Sequence, residues 1–106
     1  CSFGASQIRP HLVALNGLAD TLIMAYPNAG LPNELGEYDE AAAETAAQVS
    51  EWFDAGLVNI VGGCCGTTPE HIAAIAKAAL GRAPRQVPNG TRQTLLAGLE
   101  PMVIAA

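Results

Sequence analysis

Apolar residues follow two kinds of pattern along the chain, a helical spacing in three stretches and an unbroken run in two others. The helical stretches are residues 7–19, 40–55 and 69–80, and in each of them the apolar positions fall on one face. The unbroken runs are residues 21–26 and 57–62, and both are bounded by Gly, Pro or Asn, which is typical of short strands buried on both faces. The pattern predicts the order helix, strand, helix, strand, helix.

Local signals mark the ends of the predicted helices. Pro10 is compatible with the first helix only in its first turn, because proline has no N–H to donate further along. Gly56 stands where a left-handed residue is expected to end the second helix. Thr68, Pro69 and Glu70 supply an N-cap, a first-turn proline and an early acid, so the third helix should begin there.

The order of these elements defines the predicted fold class, which is α/β. Strands of about six residues that alternate with helices of about thirteen indicate βα units on a parallel sheet. A loop of residues 27–40, rich in Pro, Asn, Gly and carboxylates, follows the first strand, and residues 62–68 follow the second. Cys1 would stand just after a strand further upstream, and we expect all three segments to share the sheet edge where α/β folds bind ligands. Three βα units cannot close a barrel of eight, so a lone fragment would expose two sheet edges and a bare apolar face. Because the sequence begins at Cys1 without a methionine and ends in an apolar run, we expect it to be a piece of something longer.

Composition and charge narrow the classes of function. The 106 residues are 50% hydrophobic and 14% charged, which suits one folded domain. A net charge of −5 without any basic run argues against a nucleic-acid partner. No apolar stretch reaches the roughly 20 residues that cross a bilayer, and the first residues do not resemble a signal peptide. We therefore expect a soluble, cytoplasmic protein with no membrane partner.

The three cysteines carry the candidate chemistry. Cys64 and Cys65 stand together between glycines where a predicted strand ends, and Cys1 falls at the same predicted edge. The neighbouring glycines would allow the backbone turn that both side chains need to face one metal ion. Three thiolates around Zn²⁺ leave the fourth position open, which is the arrangement of a catalytic zinc site. On the residues alone, buried inert cysteines and a disulfide or redox pair remain alternatives.

Four segments of the chain carry a family resemblance. Together "NIVGGCCGTTPEHI", "AYPNAGLPN", "GEYDE" and "GLEP" resemble the homocysteine-binding domain of the cobalamin-dependent methionine synthases, and the similarity runs through essentially all 106 residues. The double cysteine between glycines is specific for the homocysteine methyltransferase group. The resemblance implies the C-terminal portion, about three βα units, of a (β/α)8 TIM barrel. Residues 1–94 would belong to that barrel domain, and residues 95–106 would begin a linker toward a folate-binding domain.

The resemblance also implies a site and a reaction. Cys1, Cys64 and Cys65 would be the zinc ligands, and zinc would activate the homocysteine thiolate to accept a methyl group from methylcobalamin, giving methionine. Cobalamin and methyltetrahydrofolate would bind other domains of the same full-length chain. No residue of this chain receives an acid–base or nucleophilic role, and the isolated fragment should be inactive. The alternatives are a methyltransferase that uses betaine or S-methylmethionine, which lacks a tail like "GLEP", and a non-catalytic thiol redox module.

Other polar residues have weaker claims to the site. The Asn28 amide oxygen could occupy the fourth zinc position until homocysteine displaces it, or Asn28 could be a turn residue bonded to its own loop. Glu37 and Asp39 could meet the substrate ammonium, although loop carboxylates are usually solvated. His11 and His71 lie on predicted helices and are expected at the surface.

Overall fold

The computed structural model describes residues 3–88 together with the backbone of residues 93–96 and 102–105. The three predicted helices are present, and the first two strands lie inside the predicted runs but are shorter. In chain order the elements are α1 (Ala5–Asn16), β1 (Met24–Ala25), α2 (Ala42–Asp54), β2 (Ile60–Val61), α3 (Pro69–Ala79), β3 (Gln93–Leu96) and β4 (Met102–Ala105).

The strands form two pairs of opposite kinds. Strands β1 and β2 pair in parallel with Met24 opposite Ile60, and α2 is the connection between them. Strands β3 and β4 pair antiparallel, and the predicted domain boundary at residues 94–95 falls within β3. Residues 97–101 and 106 of the predicted linker lie outside the described residues. Two parallel strands suit an open sheet and a closed barrel alike, so the barrel stays a prediction.

The helices cover one face of β1 and β2. Ile23 and Ala25 are buried, whereas Met24 is 57% exposed and Ile60 is 49% exposed. The prediction of strands buried on both faces is therefore wrong for the described residues, because their helices supply a single covering layer. Trp52 of α2 lies within this layer and is fully buried. The core cluster consists of Ala5, Leu12, Ile23, Ala25, Val49, Trp52, Leu57, Val58 and Ile75.

Helix ends agree with the sequence signals at α2 and α3 but not at α1. Gly56 has φ +65° directly after α2, and Thr68 caps α3 with Pro69 as its first residue. Helix α1 begins at Ala5, so Pro10 lies in its second turn and the first-turn expectation is wrong. The missing proline N–H leaves the Ser6 carbonyl without its helical partner, and the exposure of Ser6 lets water replace it.

Arg85 connects the segment after α3 to the amino end of the sheet. Its side chain is buried, and its nitrogens donate to Asn16 Oδ1 at 2.7 Å, to Thr21 O at 2.8 Å and to Ala19 O at 2.7 Å. The Arg85 backbone N–H also donates to Val58 O at 3.0 Å. The guanidinium thus donates hydrogen bonds to carbonyl groups at the C-terminus of α1 that have no partner within the helix. Positive charge is favourable at this end of a helix. Residue 85 is therefore part of the fold, although it lies beyond the last predicted helix.

Replacing Arg85 should open the amino end of the sheet. In the intact protein, Arg85→Ala leaves several buried carbonyls unpaired, and we expect hydrogen exchange over residues 16–25 to rise about 100-fold, or about 3 kcal/mol. The matched control is Arg82→Ala, which removes only the surface contacts to Asp54 and Ser50 and should change exchange less than about fivefold. Equal effects of the two substitutions on exchange would contradict this role for Arg85.

Candidate functional site

The loops after β1 and β2 are hydrogen-bonded to each other beyond the ends of the strands. The Gly62 N–H donates to Ala25 O at 3.0 Å and the Cys64 N–H to Pro27 O at 2.9 Å, which continues the parallel ladder. On the next residue the direction reverses, and the Ala29 N–H donates to Cys65 O at 2.9 Å. The two marked loops therefore meet at the carboxyl edge of the strands, with the cysteine pair between them.

The cysteine pair lies in a tight turn of residues 64–67, called the cysteine turn below. The Thr67 N–H donates to Cys64 O at 3.1 Å, and Gly66 has φ +79°, which a residue with a side chain rarely adopts. Cys64 is half-buried and Cys65 is exposed, so the alternative of buried inert cysteines is wrong. Their sulfur atoms lie 4.0 Å apart, about twice the length of a disulfide bond, so the two cysteines do not form a disulfide.

The spacing of the two sulfurs fits zinc. Two thiolates on a tetrahedral Zn²⁺ with bonds of about 2.3 Å are separated by about 3.8 Å. The Cys64 and Cys65 sulfurs, 4.0 Å apart, are close to this separation. Among the described residues no third His, Cys, Asp or Glu joins them, and Cys1 lies outside those residues. Phe3 O accepts from the Asn28 N–H at 2.9 Å, so Phe3 lies beside the loop after β1. Cys1 as the third ligand stays a prediction.

Asn28 is a buried link between the two loops. Its side chain is 2% exposed, and its Oδ1 accepts from the Cys65 N–H at 3.1 Å. This bond runs to the opposite loop, rather than within its own loop as the turn-residue alternative supposed. The amide oxygen therefore lies next to the cysteine backbone. Its role as a displaceable fourth zinc ligand stays a prediction.

The long loop before α2 is folded around Asn33. Asn33 Oδ1 accepts from the N–H groups of Leu35 at 2.8 Å and Glu37 at 2.9 Å, and its Nδ2 donates to Asp39 at 2.9 Å. Both Glu37 and Asp39 are exposed, so they have the solvated character usual for loop carboxylates. The result is an ordered loop that presents Tyr38 to the cysteine turn.

Tyr38 packs directly on the cysteine turn. A Cβ added at Gly66 would lie 2.6 Å from Tyr38 Cγ, so only glycine allows this approach. Partial burial raises the pKa of the Tyr38 phenol, and the charge of Cys65, a hydrogen bond to Cys65 and the charge of Cys64 raise it further. The phenol is therefore protonated at neutral pH, and its neighbours are the side chains of the cysteine pair. Such outer partners orient metal ligands, and nothing in the spacing of the sequence indicated this one.

The two histidines differ in burial. His11 is exposed, as predicted, and its ring stacks on Phe3 with centroids 6.0 Å apart. His71 is only 7% exposed, so the prediction that it lies at the surface is wrong. Its Nε2 donates to Glu40 O at 2.7 Å, which buries the ring between α3 and the segment before α2.

The chain matches the family model described as homocysteine S-methyltransferase over residues 1–79 of its 106. It belongs to the homocysteine S-methyltransferase family, and its class of activity is methyl transfer. The matched region contains Cys1, Asn28, Cys64 and Cys65. The resemblance seen in the double-cysteine segment is thereby confirmed at the level of the family.

Within the described residues, none of the helices has the length and apolar character required to cross a membrane.

Because Gly66 contacts Tyr38, substitution of Gly66 by alanine should destabilise the protein more than the same substitution at Gly36. Gly36 has φ +78° with nothing within 4 Å of an added Cβ, whereas Gly66 has φ +79° and meets Tyr38. We expect Gly36→Ala to cost about 1 kcal/mol for its backbone alone, and Gly66→Ala to cost a further 1–3 kcal/mol or so for the overlap. Hydrogen exchange over residues 33–40 and 62–68 of the intact protein measures both. Equal costs would mean that Tyr38 does not rest on the turn.

Proposed function

We propose that this chain is the zinc-binding part of a homocysteine S-methyltransferase, with Cys1, Cys64 and Cys65 as the zinc ligands and homocysteine as the methyl acceptor. The observation that carries the proposal is the 4.0 Å separation of the Cys64 and Cys65 sulfurs on a solvent-facing turn. Family membership supports the acceptor. The proposal places the site at the carboxyl edge of a larger (β/α)8 barrel, where α/β enzymes bind their substrates.

A thiol acceptor needs activation because an ordinary thiol, with a pKa of about 8.5, is only a few per cent thiolate at neutral pH. A zinc ion held by these cysteines would supply Lewis acidity that favours the deprotonated, nucleophilic form of the substrate sulfur.

The residues of this chain divide the remaining work. Cys64 and Cys65 provide anionic sulfurs on a turn whose backbone is bonded to the Asn28 loop. Tyr38 packs on Gly66 and so supports the turn that carries both sulfurs. Asn28 holds its amide oxygen beside the pair, where it could fill the position that the substrate takes. Because Cys65 is exposed, a small thiol can reach the pair from solvent.

We further propose that the methyl donor is methylcobalamin, carried on another domain of the same full-length chain and recharged from methyltetrahydrofolate on a folate-binding domain. Support comes from residues 98–101, "GLEP", which are similar to the start of the connection toward a folate-binding domain and lie outside the described residues. Residues 1–106 alone should then be inactive, because the donor domains are elsewhere. A cytoplasmic location belongs to the same proposal.

Zinc content tests the metal site. The intact protein, purified reduced and without oxygen, should contain one zinc per chain, and Cys64→Ser or Cys65→Ser should weaken zinc binding at least about 100-fold. His11→Ala is the matched control, because it removes an exposed potential ligand away from the turn and should leave zinc unchanged. A folded, reduced wild-type protein without zinc would overturn the proposal. Reversible loss of two thiols on mild oxidation would then favour the redox module.

Donor preference tests the reaction. We expect the intact protein to methylate homocysteine with methylcobalamin at least about 100-fold faster than with betaine or S-methylmethionine, because binding must place each donor methyl in line with the acceptor sulfur. Methionine formation measured by mass spectrometry separates the three donors in one assay. The Cys65→Ser protein serves as the control for reaction without the site. Faster turnover with betaine or S-methylmethionine would assign the chain to those relatives instead.

A further inference from the structure

We propose that His71 is a positioning residue for the cysteine pair. Its imidazole fixes the point where the chain leaves the Cys64–Cys65 turn and joins it to the segment that opens α2. This inference rests on the proposed zinc site, because the expected effect of His71 is on how the two sulfurs are placed around a metal ion.

Both ring nitrogens of His71 are engaged. Nε2 lies 2.7 Å from Glu40 O, and Nδ1 lies 2.7 Å from Thr68 Oγ1 and 3.3 Å from the Thr68 backbone nitrogen. With 7% exposure, the ring has little access to water that could replace these partners. The imidazole thus spans the distance between Thr68, the N-cap of α3, and Glu40, which precedes the N-cap of α2.

The partners determine where the imidazole proton lies. Glu40 O can only accept, so Nε2 carries the hydrogen and donates it. The Thr68 backbone N–H can only donate, so Nδ1 must accept. The Thr68 hydroxyl donates to Nδ1 and accepts from the His71 backbone N–H at 3.4 Å. The neutral form protonated on Nε2 satisfies every one of these bonds.

The start of the cysteine turn and its end are held by different means. Where the turn starts, Cys64 and Cys65 are bonded to Pro27 and Ala29 of the loop after β1. Where it ends, the chain passes from Thr67 to Thr68, and the Thr68 N–H and hydroxyl both go to His71. The position of the imidazole therefore sets the position of the end of the turn.

The Glu40 end of this connection is itself fixed. The Glu40 carboxylate accepts from Thr45 Oγ1 at 2.5 Å and from Gln48 Nε2 at 2.9 Å, both on α2. His71 consequently connects the cysteine turn to helix α2 through Glu40, at a site well separated in sequence from the turn. An ordinary helix cap does not require this connection, because Thr68 Oγ1 caps α3 through the backbone N–H that any residue at position 71 would supply.

Two neutral replacements separate the roles of the two ring nitrogens. In His71→Gln the amide nitrogen reaches the position of Nε2 and can still donate to Glu40 O. In His71→Asn the amide oxygen takes the position of Nδ1 and can still accept from Thr68, but the side chain is too short to reach Glu40. Both variants keep the cap of α3 through the backbone N–H of residue 71. The Asn variant loses the contact with Glu40, whereas the Gln variant keeps that contact and loses the side-chain acceptor for the Thr68 N–H.

The measurements are made on the intact protein and do not depend on turnover. Zinc affinity is measured by competition with a chromophoric chelator, and the cobalt-substituted protein reports ligand geometry through its absorption bands. We expect His71→Asn to weaken zinc binding about tenfold or more and to shift the cobalt bands, and His71→Gln to stay within about threefold of wild type with an unchanged spectrum. Hydrogen exchange over residues 69–79 should show α3 intact in both variants.

The possible outcomes are distinct. If wild type and both variants bind zinc equally, His71 is not a positioning residue, although the proposed zinc function stands. Equal losses in both variants, with a parallel loss of protection in α3, would assign His71 a structural role and overturn the proposal. A folded wild-type protein that binds no zinc would overturn the proposed function first, and this inference with it.

Discussion

The site depends on the hydrogen bonds between the backbones of the two loops that follow β1 and β2. Cys64 donates to Pro27 and Cys65 accepts from Ala29, so the parallel ladder continues to the cysteine pair itself. In an extended strand, neighbouring side chains would point to opposite faces. Because the chain turns at Gly66, directly after the ladder ends, two consecutive sulfurs instead come within 4.0 Å of each other. Hydrogen bonds before the pair and the turn at Gly66 after it thus bring the side chains of two consecutive residues to the same side, where their sulfurs are close enough to bind one metal ion.

Around this turn, polar groups act as spacers and supports. Asn28 joins the two loops, Tyr38 packs on Gly66, and His71 joins Thr68 to Glu40. Each of these contacts connects the turn to the segment between β1 and α2. That segment is ordered by its own hydrogen bonds around Asn33, so it can serve as a scaffold although it contains no regular element. A loop with many Pro, Asn and Gly residues thus supports the site instead of only covering it.

The amino end of the strands carries contacts that stabilise the fold. Arg85 is buried there and donates to carbonyl groups at the end of α1 and before β1, so a charged side chain supplies hydrogen bonds at the C-terminus of the helix. The cysteine pair thus lies at the carboxyl edge of the strands and the Arg85 contacts lie at the amino edge, and in α/β folds these two edges commonly serve function and stability respectively. The chain belongs to the homocysteine S-methyltransferase family, and the matched region includes the cysteine pair.

Features that depend on near neighbours were determined by the sequence alone. Helical spacing located all three helices, Thr68 and Gly56 marked their ends, and the glycines beside Cys64 and Cys65 indicated a turn, because caps, turns and periodicity act within a few residues. Burial was decided only by the tertiary structure. His71 is buried by Glu40, 31 residues away, and Arg85 by residues 64 to 69 positions away, while Met24 is exposed on a strand expected to be covered. The same holds for the contact of Tyr38 with Gly66, since no local pattern reports which distant segment will lie against a side chain.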